Sequence, residues 1–384
     1  MPTHPKLSLL DHFKDLPDPR VQRRCDHELS PVLIIGLCTL LCGGSDFNDM
    51  ADFGRAKQDW FKSFLPLRHG IPSHDTFNRV FAALKPEAFL DCFLRWTQSL
   101  RQTVAHEIIA LDGKALRRAL NRGQSPRYLV SAWAQGNGLV LGQLKVADKR
   151  NEITALPQLL RVLELAGCLV TIDALGCQKT IAKESIAADA DYVLALKGNQ
   201  GTVHAEVQSY LDDAILQQRP VPTQTAKAQS EPALAHTETV DKEHGRLEIR
   251  RYWQSDRLSW FADRAKWEGL RSVGVVESVR QVGAEPPTVA RRYYLSSLAV
   301  DVEQFARAVR GHWGVENSLH WCLDMQLGED PSRARTGHAP ENLATLRRLA
   351  LNLLKRDRIK KRGLKGKQLN AAWNHDYLLH LLAF

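Results

Sequence analysis

The sequence predicts an α/β fold built on a mixed β-sheet, and two observations support that prediction. From about residue 105 onward, short apolar runs rich in β-branched residues alternate with helical patterns. Two of those runs, residues 108–111 and 169–172, end abruptly on a carboxylate, Asp112 and Asp173. A short apolar run bounded by turn residues is typical of a strand buried on both faces, as in the middle of a parallel or mixed sheet. Each aspartate is therefore expected at the end of a buried strand.

The order of the predicted elements indicates which type of α/β fold the chain has. We predict three strands joined by short turns, followed by parallel strands that are linked by helices. This order describes a ribonuclease-H-like mixed sheet with helices on both faces, in which the first and fourth strands are neighbours. Asp112 and Asp173 would then lie side by side, although either aspartate alone could simply cap a turn or a helix. The predicted strands are 107–112, 128–134, 139–147, 168–173 and 191–197, and the predicted helices are 154–165, 177–188 and 202–216.

Helical patterns precede this sheet and form a predicted helical N-terminal domain, residues 1–100. A tight joint between its last two helices, LKPEAF, suits a DNA-reading module and equally suits helices that dimerise or support a neighbouring domain. Both interpretations stay open. The predicted N-caps are Ser30, Asp46 and Ser73, and Pro86 is predicted to open the last helix.

A second domain is predicted at residues 104–340, and a β-rich insertion interrupts it at about 220–300. A polar stretch after Leu216 is followed by segments with the alternating pattern of strands. One of them, around Arg246 and Arg250, has a basic side that could contact a nucleic-acid backbone or simply face solvent.

The positive charge of the chain is concentrated near its C-terminus. The chain has 52 Lys and Arg against 43 Asp and Glu, a net charge of +9. Between Arg333 and Lys367, twelve basic residues stand against only Glu341 and Asp357, so this segment carries the whole excess. Its helical pattern places Leu343, Leu346, Ala350 and Leu353 on an apolar stripe, with Arg348, Asn352, Lys355 and Arg356 facing away.

Such a dense basic segment favours a polyanion over a merely solvated helix end. Residues 341–384 are therefore predicted as a basic helical segment that binds nucleic acid. The candidate contacts are Arg348, Lys355, Arg356, Lys360, Lys361 and Arg362.

A third carboxylate is predicted on a helix that follows the insertion. His312, Glu316, His320 and Asp324 recur every four residues and would share one slowly winding face. The other sides of this helix are apolar, and buried acidic or imidazole groups are costly unless they are paired, hydrogen-bonded or metal-bound. Glu316 is the candidate third acid, with a structural polar network as the alternative. A zinc site is disfavoured because no closing pair of His or Cys follows at suitable spacing.

Other features limit the class of protein. Seven cysteines form no CxxC pair and are expected to be reduced and buried. The longest apolar stretch, which starts at Pro31, is too short to cross a bilayer and does not resemble a secretory leader. We therefore expect a soluble cytoplasmic protein without a membrane partner.

The ordered motifs resemble one family, the DDE transposases of bacterial insertion sequences. The resemblance covers nearly the full chain and is closest to the ISAs-one-type group, which includes the H-repeat-associated proteins and is related to the insertion-sequence-four group. The motifs that carry it are LPDPR, IPSHDTFNRVF, ALDGKALR, LVSAWA, NEITALPQLL, TIDALGCQK, YVLALKGNQ, HGRLEIRRYW, RGHWGVENSLHW and LRRLALNLLK.

The resemblance implies a transposase that cleaves transposon ends and transfers the strand to target DNA. Asp112, Asp173 and Glu316 would be the catalytic acids and would hold two Mg²⁺ ions, with Asp112 bridging both and Mn²⁺ as a substitute. Lys114 and Lys197 are candidate phosphate ligands, with an ordinary surface or strand-end lysine as the preferred interpretation of each. The implied partner is double-stranded DNA, bound by a homodimer or higher synaptic oligomer, and the implied location is the bacterial cytoplasm, at the nucleoid when DNA is bound.

One departure concerns the insertion-sequence-four relatives, which carry Tyr, Arg and Lys around the catalytic Glu. Here His312 stands in place of the Arg and Leu323 in place of the Lys, so the hairpin-handling roles of those relatives are not carried over. A metal-dependent nuclease without strand transfer and a catalytically silent DNA-binding descendant are the rival functions. The intact set of acids argues against the second.

Overall fold

The computed structural model describes residues 8–21, 25–119, 127–146, 152–218, 234–243 and 245–383. Within these ranges the strands are β1 (Ile108–Leu116), β2 (Arg127–Ala134), β3 (Leu139–Val146), β4 (Leu169–Ile172), β5 (Asp191–Leu196), β6 (Ala235–Glu243), β7 (Arg246–Ser255), β8 (Ser272–Val282) and β9 (Thr288–Ser296). The helices before β1 are α1 (Ser8–Phe13), α2 (Leu29–Leu41), α3 (Phe47–Ala56), α4 (Gln58–Lys62), α5 (His74–Ala83) and α6 (Pro86–Leu100). Those after β3 are α7 (Glu152–Val162), α8 (Lys179–Ala187), α9 (Gly201–Gln218), α10 (Val302–His312), α11 (Trp321–Met325), α12 (Ala339–Arg356), α13 (Leu364–Trp373) and α14 (His375–Leu382).

The strands form a mixed sheet in the order β3-β2-β1-β4-β5-β9-β8-β7-β6. Strand β1 runs parallel to β4, and β4 runs parallel to β5, whereas β2 and β3 are antiparallel. Parallel neighbours need a crossover connection, and α7 and α8 supply it here. The predicted ribonuclease-H-like order, with the first and fourth strands adjacent, is confirmed.

The β-rich insertion extends this sheet instead of forming a separate one. Strand β9 pairs antiparallel with β5, from Val193 opposite Ser296 to Leu196 opposite Tyr293, and β8, β7 and β6 follow outward. Most of the predicted polar start of the insertion, residues 219–233, lies outside the described residues. The alternating strand predicted around Arg246 and Arg250 is the first half of β7.

The chain divides into two compact units, and one of the points where it passes between them falls inside β1, between Asp112 and Gly113. One unit comprises Val104–Asp112 and Leu156–Trp313. Its core packs α10 against strands β4, β5, β6 and β7. Phe305 of α10 is fully buried there and meets the Tyr252 and Tyr294 rings edge to face, at centroid distances of 6.4 and 5.4 Å.

The other unit comprises Met1–Thr103, Gly113–Ala155 and Gly314–Phe384. Helix α12 lies at its centre and packs on α2, α5, α6, α11, α13, α14 and β3. Every residue from Ala339 to Leu354 is buried as a result. The predicted apolar stripe is confirmed, but the helix has no solvent face along most of its length.

Two polar residues of α12 are therefore placed differently from the prediction. Arg348 and Asn352 were expected to face solvent, yet both are fully buried. The Arg348 guanidinium donates to Glu329 at 2.7 Å, and neither side chain of this pair is exposed. Asn352 exchanges two hydrogen bonds with the Val140 backbone, at 2.8 and 2.9 Å. Arg348 as a DNA contact is thus wrong, because its charge is compensated inside the core.

Local capping signals were mostly predicted correctly. Asp46 caps α3 in a reciprocal capping box, Ser73 accepts a hydrogen bond from the Thr76 backbone N–H, and Pro86 opens α6. Ser30 is not the N-cap, because α2 begins at Leu29 and its N-cap residue is Glu28.

All seven cysteines are free, and five of them are buried. None of the helices in the described ranges combines the length and apolar content needed for a membrane span.

The Arg348–Glu329 pair yields a stability prediction. Removing one partner of a buried ion pair leaves an uncompensated charge, which typically costs about 3–5 kcal/mol. Arg348→Met should lower the free energy of unfolding by that order in urea titrations followed by circular dichroism. Arg358→Met, an exposed change of the same type just beyond α12, is the control and should leave the unfolding midpoint unchanged. Equal midpoints for the two variants would contradict a stabilising role for the buried pair.

Candidate active site

Asp112 and Asp173 lie at equivalent points of two adjacent parallel strands. The last paired residues of β1 and β4 are Leu111 and Ile172, and each aspartate comes directly after its member of this pair. Neighbouring strands are about 4.8 Å apart, so the two carboxylates start from neighbouring backbone positions. Asp112 is partly exposed and Asp173 is exposed. One detail was predicted wrongly, because β1 does not end at Asp112 but continues to Leu116.

The Asp173 carboxylate is held by the turn that follows it. Its Oδ1 atom accepts hydrogen bonds from the backbone N–H groups of Leu175 and Gly176, at 3.1 and 3.3 Å. Asp173 thus caps a short 3₁₀ turn, as the simpler interpretation of this residue expected. Both bonds use the same oxygen, which leaves Oδ2 as the atom that could bind a cation.

A second loop braces the turn after β4, and sequence reasoning missed it. Following β5, the Asn199 amide donates to the Ala174 carbonyl at 2.7 Å, and the Gln200 amide donates to the Cys177 carbonyl at 2.5 Å. The signal for this loop is the end of the motif YVLALKGNQ, which places Asn199 and Gln200 shortly after β5. Lys197 begins this loop and is exposed, just beyond the carboxyl end of β5.

His312 approaches β4 from the last turn of α10. Its Nδ1 atom and the Thr171 hydroxyl are 3.1 Å apart, within hydrogen-bond distance. Burial lowers the pKa of the His312 imidazole, and the nearby Asp173 carboxylate only partly opposes this effect. The neutral imidazole is therefore favoured near neutral pH, beside the strand that carries Asp173.

Glu316 belongs to the other unit and lies in a π-helical segment, Val315–His320. Such segments are rare and occur frequently at functional sites. Its side chain is exposed, so the expectation of a buried carboxylate that needs compensation is wrong. Because the turn is wider than in an α-helix, Glu316 and His320, four residues apart, are not aligned on one face as predicted. Gly314 precedes the segment, and a Cβ atom there would overlap the end of the Gln135 side chain.

Asp324 and Lys114 pair with each other in the same unit as Glu316. The Lys114 ammonium lies 2.7 Å from Asp324 and 3.3 Å from Asp330. Burial raises the pKa of Asp324, and the Lys114 charge counteracts that effect. Lys114 is only 8% exposed, so it is not the accessible phosphate ligand that was predicted. Among the residues that the structure describes, no group of three or more His, Cys, Asp or Glu side chains is placed to hold a metal ion.

The predicted basic contacts at the C-terminus fall into two groups. Lys355 lies 5.1 Å from the Trp133 ring centre, burial lowers its pKa, and Arg356 donates to the Leu100 carbonyl at 2.8 Å. These two residues are half-buried. Lys361 and Arg362 are exposed and Lys360 partly so, all in the loop between α12 and α13. Accessible positive charge is therefore found in this loop and not along α12.

Comparison with known proteins identifies the family. Residues 104–353 match the family described as "Transposase DDE domain", and residues 10–97 match "DDE_Tnp_1-associated". The chain belongs to the DDE transposases. It is 38% identical over 381 residues to "Putative transposase YncI" of Escherichia coli O157:H7, covering 98% of this chain and 94% of that protein. It is 36% identical over 381 residues to "H repeat-associated putative transposase YhhI" of Escherichia coli K12, covering 98% and 97%.

A solved structure of the piggyBac transposase synaptic complex with hairpin DNA matches this DDE transposase with a TM-score of 0.45 and 10% identity. The match covers 96% of this chain and 75% of the piggyBac chain.

The turn after Asp173 gives a prediction about packing. A Cβ atom at Gly176 would overlap the Ile172 side chain and lie 2.9 Å from Leu156 Cδ1, whereas one at Gly198, in the bracing loop, would meet nothing within 4 Å. Gly176→Ala should therefore lower the free energy of unfolding by about 1–3 kcal/mol, the usual effect of overpacking. Gly198→Ala is the matched control and should behave as wild type in the same urea titration. A Gly176→Ala protein as stable as the control would show that the turn is not tightly packed.

Proposed function

We propose that this DDE transposase cleaves DNA at the ends of its element and joins the freed ends to target DNA. Asp112, Asp173 and Glu316 are the proposed catalytic carboxylates. The observation that supports the proposal most directly is the register of β1 and β4, which sets Asp112 and Asp173 at neighbouring ends of paired strand segments. Glu316 is assigned by the RGHWGVENSLHW motif and lies in a π-helical segment.

The donor atoms suit a divalent cation. Two like charges on adjacent strands repel each other unless a cation lies between them, and carboxylate oxygens are the ligands that Mg²⁺ prefers. DDE transposases generally use divalent metal ions, and we propose Mg²⁺, with Mn²⁺ as a substitute, for this chain. When bound, two such ions would lower the pKa of a water nucleophile and stabilise the leaving oxygen of the phosphodiester. Asp112, Asp173 and Glu316 would hold them.

Other residues near Asp173 have supporting roles in this proposal. The N–H groups of Leu175 and Gly176 fix the orientation of its carboxylate, and the Asn199 and Gln200 amides fix the turn itself. Lys197 is exposed beyond the carboxyl end of β5, so its ammonium can attract a DNA phosphate.

Double-stranded DNA is the proposed substrate, and the basic loop between α12 and α13 is a proposed contact with its backbone. We define this basic loop as residues 357–363, which include Arg358, Lys360, Lys361 and Arg362. Exposed cations of this density neutralise phosphates without reading sequence. A homodimer or a higher oligomer would bring two transposon ends together for joining.

The catalytic assignment predicts the effect of neutralising one acid. Asp173→Asn keeps the size of the side chain and its cap on the turn but removes its charge, so Mg²⁺-dependent cleavage should fall about a hundredfold or more. Glu316→Gln and Asp112→Asn should have similar effects, and combining two of them should add little, because such groups act as a unit. The measurement is cleavage and strand transfer on duplexes taken from the DNA that flanks the reading frame.

Asp189→Asn is the control, because Asp189 is an exposed aspartate two residues before β5 and its left-handed backbone, with φ at 53°, suits Asn well. It should cut at the wild-type rate. Near wild-type cleavage by Asp173→Asn would overturn the assignment. Cleavage by the wild-type protein without joining of ends would support a nuclease instead of a transposase.

The proposed role of the basic loop predicts a uniform loss of DNA affinity. Replacing Lys360, Lys361 and Arg362 by Gln removes three cations, so the slope of log K against log salt should fall by about 2.7. All duplex sequences should be affected alike in fluorescence anisotropy titrations. The control replaces Lys183, Arg257 and Arg264 by Gln, three exposed cations of the other unit, and should change the slope much less. A loss confined to one duplex sequence would contradict phosphate binding.

A further inference from the structure

A single buried acid lies at the base of the basic loop. Asp357 is 2% exposed, although it begins the most cationic segment of the chain. Its carboxylate accepts hydrogen bonds from the Tyr377 hydroxyl at 2.7 Å and from the backbone N–H groups of Ile359 and Lys360, at 3.0 and 3.3 Å. The loop backbone is thus folded around this carboxylate.

The same cluster connects the loop to the helices on either side of it. Lys367 of α13 donates to the backbone carbonyls of Leu354 and Asp357, at 2.8 and 2.7 Å, and its ammonium lies 3.5 Å from the Asp357 carboxylate. The last carbonyls of a helix have no partner within the helix, so Lys367 satisfies one of these groups, on Leu354, and also the carbonyl of the C-cap residue Asp357. The Tyr377 ring of α14 also lies under Lys360, whose ammonium is 5.8 Å from the ring centre.

The cations of this segment have different roles, one structural and the others accessible to solvent. Lys367 is buried and serves Asp357 and the end of α12, while Arg358, Lys361, Arg362 and Lys365 are exposed. The exposed cations repel one another, and a free loop of this charge would sample many conformations. Ordering such a loop when DNA binds would cost conformational entropy, and holding it in place beforehand removes that cost.

We propose that Asp357 is a positioning residue for DNA binding, which holds the basic loop in one conformation through its buried hydrogen bonds. The proposal rests on the function proposed above for this loop. Asp357 is negatively charged, so by its charge alone it should weaken DNA binding. Its removal should nevertheless lower DNA affinity, even though the protein becomes more positive.

The experiment compares three variants of the full chain by anisotropy on a duplex of random sequence, over a series of salt concentrations. Asp357→Asn should weaken binding about fivefold to tenfold, and Tyr377→Phe, which changes no charge, about threefold, both without a change in salt slope. The slope is retained because the same cations still reach the same phosphates. Asp376→Asn is the matched control, since it removes an exposed negative charge beside Tyr377, and should bind as tightly as wild type or slightly more tightly.

The possible results distinguish failure of the positioning role of Asp357 from failure of the proposed DNA contact. If Asp357→Asn binds as tightly as Asp376→Asn, Asp357 acts only through its charge and the proposal is wrong. If Asp357→Asn fails to fold, Tyr377→Phe decides alone, and wild-type affinity for that variant overturns the proposal. If replacing Lys360, Lys361 and Arg362 leaves affinity unchanged, the loop does not bind DNA. Its proposed function is then wrong, whatever the role of Asp357. Weak binding by that triple variant, with wild-type binding by Asp357→Asn and Tyr377→Phe, would reject only the positioning role.

Discussion

The pairing of β1 with β4 is the interaction on which the candidate site depends. Leu111 and Ile172 are the last members of a parallel ladder whose side chains are largely buried, so a shift of one residue would draw a carboxylate into the buried ladder and move an apolar residue out of it. The hydrophobic effect therefore fixes the register, and the register fixes where Asp112 and Asp173 lie. The position of two charged groups is thus determined by the apolar residues that precede them.

Much of the fold could be predicted because its signals are local. The apolar runs of β1 and β4, the cap at Asp46 and the proline that opens α6 each act within a few residues. Burial of Arg348 and Asn352 could not be predicted in this way. A helical pattern shows which face is apolar, but it does not show that polar residues on the opposite face meet Glu329 and the Val140 backbone across the core.

The same difference between local signals and long-range contacts applies to the candidate site. Asp112, Asp173 and Glu316 were proposed from short patterns and a family resemblance, whereas the groups around them depend on contacts between distant segments. Thr171 and His312 are far apart in sequence, as are Lys114 and Asp324, so no spacing rule connects them. The exposure of Glu316 was also hidden, because a π-helical turn changes the face on which a residue lies and its sequence signature is weak.

The outer strand β6 has a consequence for how the protein behaves at high concentration. A sheet edge presents unpaired backbone groups that can recruit a strand from another molecule, which is a route to aggregation. Strand β6 ends the strand order of this sheet and carries Glu238, Asp241 and Lys242 along its length, with Glu238 and Lys242 exposed. A second molecule that added its strand there would have to accommodate these charges. In the part of the chain that the structure describes, the β-rich insertion thus ends the sheet with charged side chains, which disfavour the addition of a further strand.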